Sequence, residues 1–202
     1  MKIICIGRNY SEHARELNNA VPESPVVFLK PATALLQRGR DFYLPDFSND
    51  IHYEAELVIK ISKNGKYVQE KFATNYIGDI TVGIDFTARD LQQQQKEKGL
   101  PWEIAKAFDN SAVVGEFMTS EGKDIQNLQF QLEKNHQLVQ QGFTGDMLFS
   151  VRTIIAYVSQ YFSLQKGDLI FTGTPAGVGR VEKGDVLRGS LEGKTLFELS
   201  IK

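Results

Sequence analysis

Short apolar runs recur along the chain, separated by polar stretches punctuated with glycine, proline or asparagine. Lys2 to Ile6, Val26 to Leu29, Ile51 to Ile61, Ile80 to Ile84, Leu128 to Leu132, Gln137 to Gln141 and Leu169 to Phe171 are rich in Val, Ile, Leu and aromatics and predict strands. Asn64-Gly65 predicts a hairpin-type turn after the third run, and Asn135-His136 a turn between the fifth and sixth. Val68 to Tyr76 reads as helical or irregular, and Arg180 to Asp185 as a loop between strands. Helical spacing is confined to a few segments. Ser11 can cap a short helix, Thr87 to Lys98 suits a polar one stopped by Gly99 and Pro101, and Met147 to Phe162 places Leu148, Val151, Ile154, Ile155 and Val158 on one face.

Taken together the elements predict a strand-rich α+β fold, and 202 residues fit a single domain, 1–202, with a substantial core. A net charge of −2 and no visible basic patch give no electrostatic footprint for nucleic acid or an anionic membrane. The single cysteine, Cys5, cannot form an internal disulfide and lies in the apolar run Ile3-Ile4-Cys5-Ile6, which predicts a buried thiol in a reducing compartment. There is no long apolar run to span a bilayer, so the cytoplasm is the expected location.

The candidate chemistry centres on Glu54-Ala55-Glu56. Residues two apart on a strand point to one face, so Glu54 and Glu56 converge. Burying two carboxylates unpaired would cost several kcal/mol or force one to take up a proton. A hard divalent cation such as Mg²⁺, Mn²⁺ or Ca²⁺ removes that cost, and Asp85, at the end of an apolar run, is the candidate third ligand. The alternative is that the glutamates line the wet face of an ordinary strand. His13 and Glu16 are three apart on a helical turn, which suits a carboxylate-oriented general base or a plain surface pair. Asp85, Arg89 and Gln92 would share a face if a helical turn starts near Asp85. Lys106 could neutralise a developing enolate or simply be exposed, and His136 reads as a surface residue. The cluster Gly173-Thr174-Pro175-Ala176-Gly177-Val178-Gly179 lacks a Gly-Lys-Ser/Thr ending and opens no helix. It is a close-approach turn, not a phosphate loop.

In combination these pieces resemble the fumarylacetoacetate hydrolase family, in particular its short single-domain members. The resemblance runs through Gly7-Arg8-Asn9-Tyr10 with His13 and Glu16, Phe28-Leu29-Lys30-Pro31, Glu54-x-Glu56, Asp85 to Gln92, Gly99-Leu100-Pro101-Trp102 with Lys106, and Gly173-Thr174-Pro175-x-Gly177-Val178-Gly179. Ser111 to Gly115 departs from it, since many relatives carry a proline after the lysine motif. The resemblance implies a mixed β-sheet roll with a few short helices, a homodimer, and Mg²⁺ or Mn²⁺ held by Glu54, Glu56 and Asp85. It puts His13 and Glu16 on a lid that activates water, and gives Arg89, Gln92, Lys106 and Thr174 to substrate binding or polarisation; Lys30 receives no role. The implied reaction is hydrolysis of a carbon–carbon bond in 2,4-diketo acids, as in acylpyruvases that are also described as oxaloacetate decarboxylases. An isomerase of 2-hydroxyhepta-2,4-diene-1,7-dioate type and a catalytically silent binding module are the alternatives.

Overall fold

The apolar runs pair into three sheets in a computed structural model that describes residues 1–12 and 21–202. His13 and Glu16 lie outside the described residues. Seven strands make the main sheet: across it run β2 (Val26–Lys30), β1 (Ile3–Gly7), β11 (Leu169–Phe171), β4 (Ala55–Ile61), β5 (Ile77–Asp85) and β7 (Ala112–Val114), with β8 (Met118–Thr119) beside the start of β5. β1 and β11 are parallel and the other pairs antiparallel, so the sheet is mixed. A second, antiparallel sheet holds β9 (Gln129–Lys134), β10 (Gln137–Phe143), β13 (Val186–Leu191) and β14 (Lys194–Ser200), and packs β13 on β5 and β9 on β4. The third sheet is β3 (Ile51–Tyr53), β6 (Thr87–Ala88) and β12 (Gly179–Arg180). Among the described residues the α-helices are α1 (Arg89–Lys98), α2 (Glu103–Lys106) and α3 (Val151–Tyr161). The fold is the expected strand-rich α+β roll.

β4 is the strand that positions the site, and its sequence explains why. Leu57, Ile59 and Ile61 join the main core with Ile4, Ile6, Val82 and Ile84, whereas Val58 joins a second cluster with Ile3, Cys5, Leu169 and Phe171. A strand covered on both faces reads as a nearly continuous apolar run. Glu56 shares the Val58 face by the two-residue period, so a carboxylate is carried into the interior by an otherwise apolar strand. Its partner β5 has no room for a side chain at Gly83, where an added Cβ would lie 2.8 Å from Val58 Cγ2 of β4 and 2.4 Å from the Val113 carbonyl oxygen of β7.

Five local expectations need correction. Ile51 to Ile61 is two strands in two sheets, because the chain leaves β3 at Glu54 and enters β4 at Ala55. Asn64-Gly65 does not close a hairpin: Gly65 bridges Leu164, the chain passes through a 3₁₀ helix at Glu70–Tyr76, and only then does β5 begin. The polar helix starts at Arg89, since Thr87 and Ala88 pair with His52 and Ile51 in β6. The last helix starts at Val151, where the Ser150 hydroxyl accepts from the Thr153 N–H; Leu148 precedes it and is partly exposed. Within the expected loop after the glycine cluster, Arg180 pairs with His52 in β12.

Candidate active site

Glu54 occupies the switch between β3 and β4, and its carbonyl accepts from the Asp85 N–H at 2.8 Å. That bond fixes the last residue of β5 against the break in the glutamate strand. Glu54, Glu56 and Asp85 are all buried, and each offers a carboxylate oxygen within 4.8 Å of the others. A wet strand face is therefore excluded for these glutamates. Glu56 Oε2 accepts from the Gly173 N–H at 2.7 Å. Burial, then the charges of Asp85 and Glu54, push the Glu56 carboxyl well above its usual range, opposed by the Gly173 bond and Lys106.

Three cations face this acidic trio. Lys106 Nζ lies 2.7 Å from Glu54 Oε2, 2.7 Å from Asp85 Oδ2 and 2.6 Å from Thr87 Oγ1. Burial alone would lower its pKa, but Asp85 and Glu54 outweigh burial and raise it, so Lys106 is an ammonium and not an exposed side chain. Arg89 donates to Glu54 Oε1 at 2.6 Å and to Gln92 Oε1 at 2.7 Å. Asp85 belongs to β5 and not to the helix, so Arg89 and Gln92 share a helical face without it. Lys30, only 2% exposed, places Nζ 2.7 Å from Asp85 Oδ1 while directing hydrogen bonds to Ser111 Oγ at 2.9 Å and to the Lys106 carbonyl.

The donor set fits a hard divalent cation. Carboxylate oxygens from three chain positions converge, and among the described residues Asp85 Oδ1 is buried with Lys30 Nζ at 2.7 Å but with no hydrogen bond to it. Oxygen-only ligands suit Mg²⁺ and Mn²⁺ alike.

Thr174 follows β11 and lines the same cavity as the trio, Arg89, Gln92 and Lys106. The structure thus brings together seven of the nine residues singled out from sequence; His13 and Glu16 are the two outside the described residues. The described histidines are elsewhere. His52 pairs with Asp50 at 2.9 Å, and burial followed by the charge of Arg89 lowers its pKa. His136 is exposed in the β9–β10 turn at φ 66°.

Several residues around the site were assigned no role from the sequence. Gln140 is buried beside a bulge in β10; its side-chain carbonyl accepts from the Ala55 N–H at 2.9 Å and its amide donates to Thr174 Oγ1 at 2.8 Å and to the Pro175 carbonyl at 3.1 Å. Asn9, fully buried, ties the first turn to Thr172 and Phe149. Arg8, Lys96, Phe28 and Trp102 complete the cavity wall. A larger apolar groove runs along Leu29, Phe47, Leu91, Ile104 and Phe108 and has no carboxylate cluster among the described residues.

The family model described as "Fumarylacetoacetate (FAA) hydrolase C-terminal" matches residues 2–200. The chain is 42% identical over 201 residues to the mitochondrial oxaloacetate tautomerase FAHD1 of Bos taurus, spanning 99% of this chain and 91% of that protein. It is 40% identical over 194 residues to the mitochondrial oxaloacetate decarboxylase of Dictyostelium discoideum, spanning 95% and 89%. Among solved structures, the fumarylpyruvate hydrolase of Pseudomonas aeruginosa in complex with Mn²⁺ and pyruvate superposes with a TM-score of 0.91 at 36% identity, covering 100% of this chain and 88% of that one. Among the described residues no helix is long and apolar enough to cross a membrane. The match over nearly the whole chain, to named enzymes of one fold, makes this protein an enzyme of the fumarylacetoacetate hydrolase family.

Proposed function

We propose that this enzyme, one catalytic domain over 1–202, acts on small keto acids through their enol or enolate forms. On oxaloacetate it would run keto–enol exchange or decarboxylation; on 2,4-diketo acids such as acylpyruvates it would hydrolyse the carbon–carbon bond. The observation that carries this reading is the buried Lys106 ammonium, 2.7 Å from both Glu54 and Asp85 and flanked by Arg89. Positive charge fixed in a water-poor pocket is what a developing enolate needs.

A divalent cation held by Glu54, Glu56 and Asp85, Mg²⁺ or Mn²⁺, would polarise the 2-keto oxygen as a Lewis acid. Arg89 and Gln92, already hydrogen-bonded to each other, present donors for a substrate carboxylate. Thr174 has its hydroxyl oxygen occupied by the Gln140 amide, so its proton is free to donate to substrate. Lys106 stabilises the enolate oxygen as charge builds. For diketo acids, His13 takes a proton from water, Glu16 holds the imidazole in the receptive tautomer, and the hydroxide attacks the distal carbonyl. The carbon–carbon bond then breaks to give a carboxylic acid and the enolate of pyruvate. Decarboxylation of oxaloacetate reaches the same enolate without the water, so one pocket serves both reactions.

An isomerase of 2-hydroxyhepta-2,4-diene-1,7-dioate would use the same enolate platform and is the second reading; a silent binding module is the third. Purified protein assayed with oxaloacetate, acetylpyruvate and the diene-dioate, with Mn²⁺ and then with EDTA, separates the three. We expect Mn²⁺-dependent turnover of the first two, with pyruvate released from acetylpyruvate. Conversion of the diene-dioate alone, with its carbon count kept, would support the isomerase, and no turnover of any would leave the binding module. A homodimer and a cytoplasmic location are proposed with this function, the first from the family resemblance and the second from the composition and the buried thiol of Cys5. Sedimentation and a localised fluorescent fusion test them.

A further inference from the structure

Among the described residues two lysines line the cavity, and they stand in opposite electrostatic states. Lys106 is locked between Glu54 and Asp85, so it stays an ammonium and has no lone pair to offer. Lys96 reaches the cavity from α1, half-buried, with its Nζ 5.8 Å from the centre of the Trp102 ring. Among the described residues its side chain has no ion-pair or hydrogen-bond partner.

Cations surround it instead. Arg8 acts on Lys96 from the end of β1, Arg89 from its own helix and Lys106 from α2, with Glu54 at the strand break opposing them. Burial, followed by repulsion from Arg8 and Arg89, lowers the Lys96 pKa to about 8. At pH 7 about a tenth of such an amine is neutral, against about one part in three thousand for an ordinary lysine at 10.5. A lysine on an apolar wall beside other cations is the setting in which an amine becomes a nucleophile towards carbonyl compounds. Arg8, whose guanidinium has no carboxylate partner among the described residues, faces the same cavity and can take the acid's own carboxylate.

Resting on the keto-acid reading above, we infer that Lys96 is an imine-forming amine, which condenses with the carbonyl of a 2-keto acid in this cavity. The imine is an electron sink that needs no metal, and it gives oxaloacetate a second, slower route to pyruvate. The neutral Nζ adds to the 2-carbonyl carbon and forms the C–N bond. The carbonyl oxygen then leaves as water with both amine protons, and a proton from solvent makes the imine a cation. In oxaloacetate the bond to the carboxylate beyond the methylene breaks, carbon dioxide departs, and the electron pair runs into the imine to give an enamine. Protonation of the enamine carbon and addition of water return pyruvate and the amine.

Reductive trapping tests this. Protein treated with EDTA is incubated at neutral pH with pyruvate and sodium cyanoborohydride, which reduces imines and spares ketones. Adducts are counted by intact mass and placed by peptide mapping. One reduced pyruvate per chain is expected, on Lys96, formed at least about tenfold faster than at any other lysine. Lys96→Arg and Lys96→Met, with folding checked by circular dichroism, should lose this adduct. They should also lose the metal-free decarboxylation of oxaloacetate that the EDTA-treated parent shows above buffer. No adduct, an adduct spread evenly over surface lysines, or equal metal-free rates in parent and Lys96→Arg overturns the inference. Mn²⁺-dependent turnover without the adduct keeps the keto-acid reading and loses the imine. The adduct with a metal-free rate that Mn²⁺ does not raise does the reverse, removing the metal-held route.

Discussion

The Gln140 side-chain amide donates to the Thr174 hydroxyl at 2.8 Å, and the other end of the same side chain accepts from the Ala55 N–H between the two site glutamates. One residue from the second sheet therefore ties the glutamate strand to the glycine turn. Gln140→Leu leaves the buried Ala55 N–H without a partner, which costs about 1–3 kcal/mol of stability. It also frees the Thr174 hydroxyl to turn. The expected result is a lower melting temperature together with a fall in kcat for oxaloacetate; an equal kcat in the folded variant would contradict the positioning role.

Lys30 is held between Asp85 and the Ser111 hydroxyl with almost no solvent contact. Lys30→Met removes one of the two ammonium groups beside Asp85 and leaves Lys106, which Asp85 shares with Glu54, as the other. Breaking a buried pair from one side costs about 3–5 kcal/mol. Because a cation in the trio supplies the missing charge, saturating Mn²⁺ should raise the melting temperature of Lys30→Met by more than that of the parent protein. An equal rise in both would show that Lys30 and the cation do not share Asp85.

The two oxaloacetate reactions need no activated water, whereas diketo-acid hydrolysis does. His13→Ala should therefore abolish pyruvate release from acetylpyruvate while retaining a measurable oxaloacetate rate. Retained acetylpyruvate cleavage would remove His13 from the water-activating role.

The lowered pKa of Lys96 sets a pH window. The groups acting on it are Arg8 from the end of β1, Arg89 on its own helix, Lys106 on α2 and Glu54 at the strand break. A lysine whose folded pKa is about 8 against an ordinary 10.5 opposes folding while it is charged, so stability from this group rises as pH climbs from about 8 towards 10.5. Lys96→Met should therefore lack this part of the rise, and an equal gain in melting temperature between pH 8 and pH 10 in parent and variant would contradict the assignment.

Much of the fold was legible because β4, β5 and β11 are apolar on both faces and carry period and punctuation together. The acidic trio was legible for a related reason: carboxylates within or at the ends of such apolar runs contradict their surroundings, and that contradiction is local. Lys30 offered the same signal, a charge closing an apolar strand before Pro31, yet its partners Asp85 and Ser111 are far along the chain. Gln140 gave no signal, since a glutamine in Gln137 to Gln141 looks like any polar strand residue until the bulge turns it inward. The break at Glu54 was hidden because two strands from different sheets are joined there without glycine or proline. Asn64-Gly65 misled for the opposite reason, since a turn dipeptide specifies a bend without specifying which strand pairs next.

The most direct test is the anomalous signal of manganese in crystals soaked with Mn²⁺, read for both the parent protein and Glu56→Gln. The account predicts one strong peak bounded by Glu54, Glu56 and Asp85 in the parent, and its loss or marked weakening in the variant. A peak elsewhere, or an unaltered peak in Glu56→Gln, would contradict the assignment on which the enolate chemistry rests.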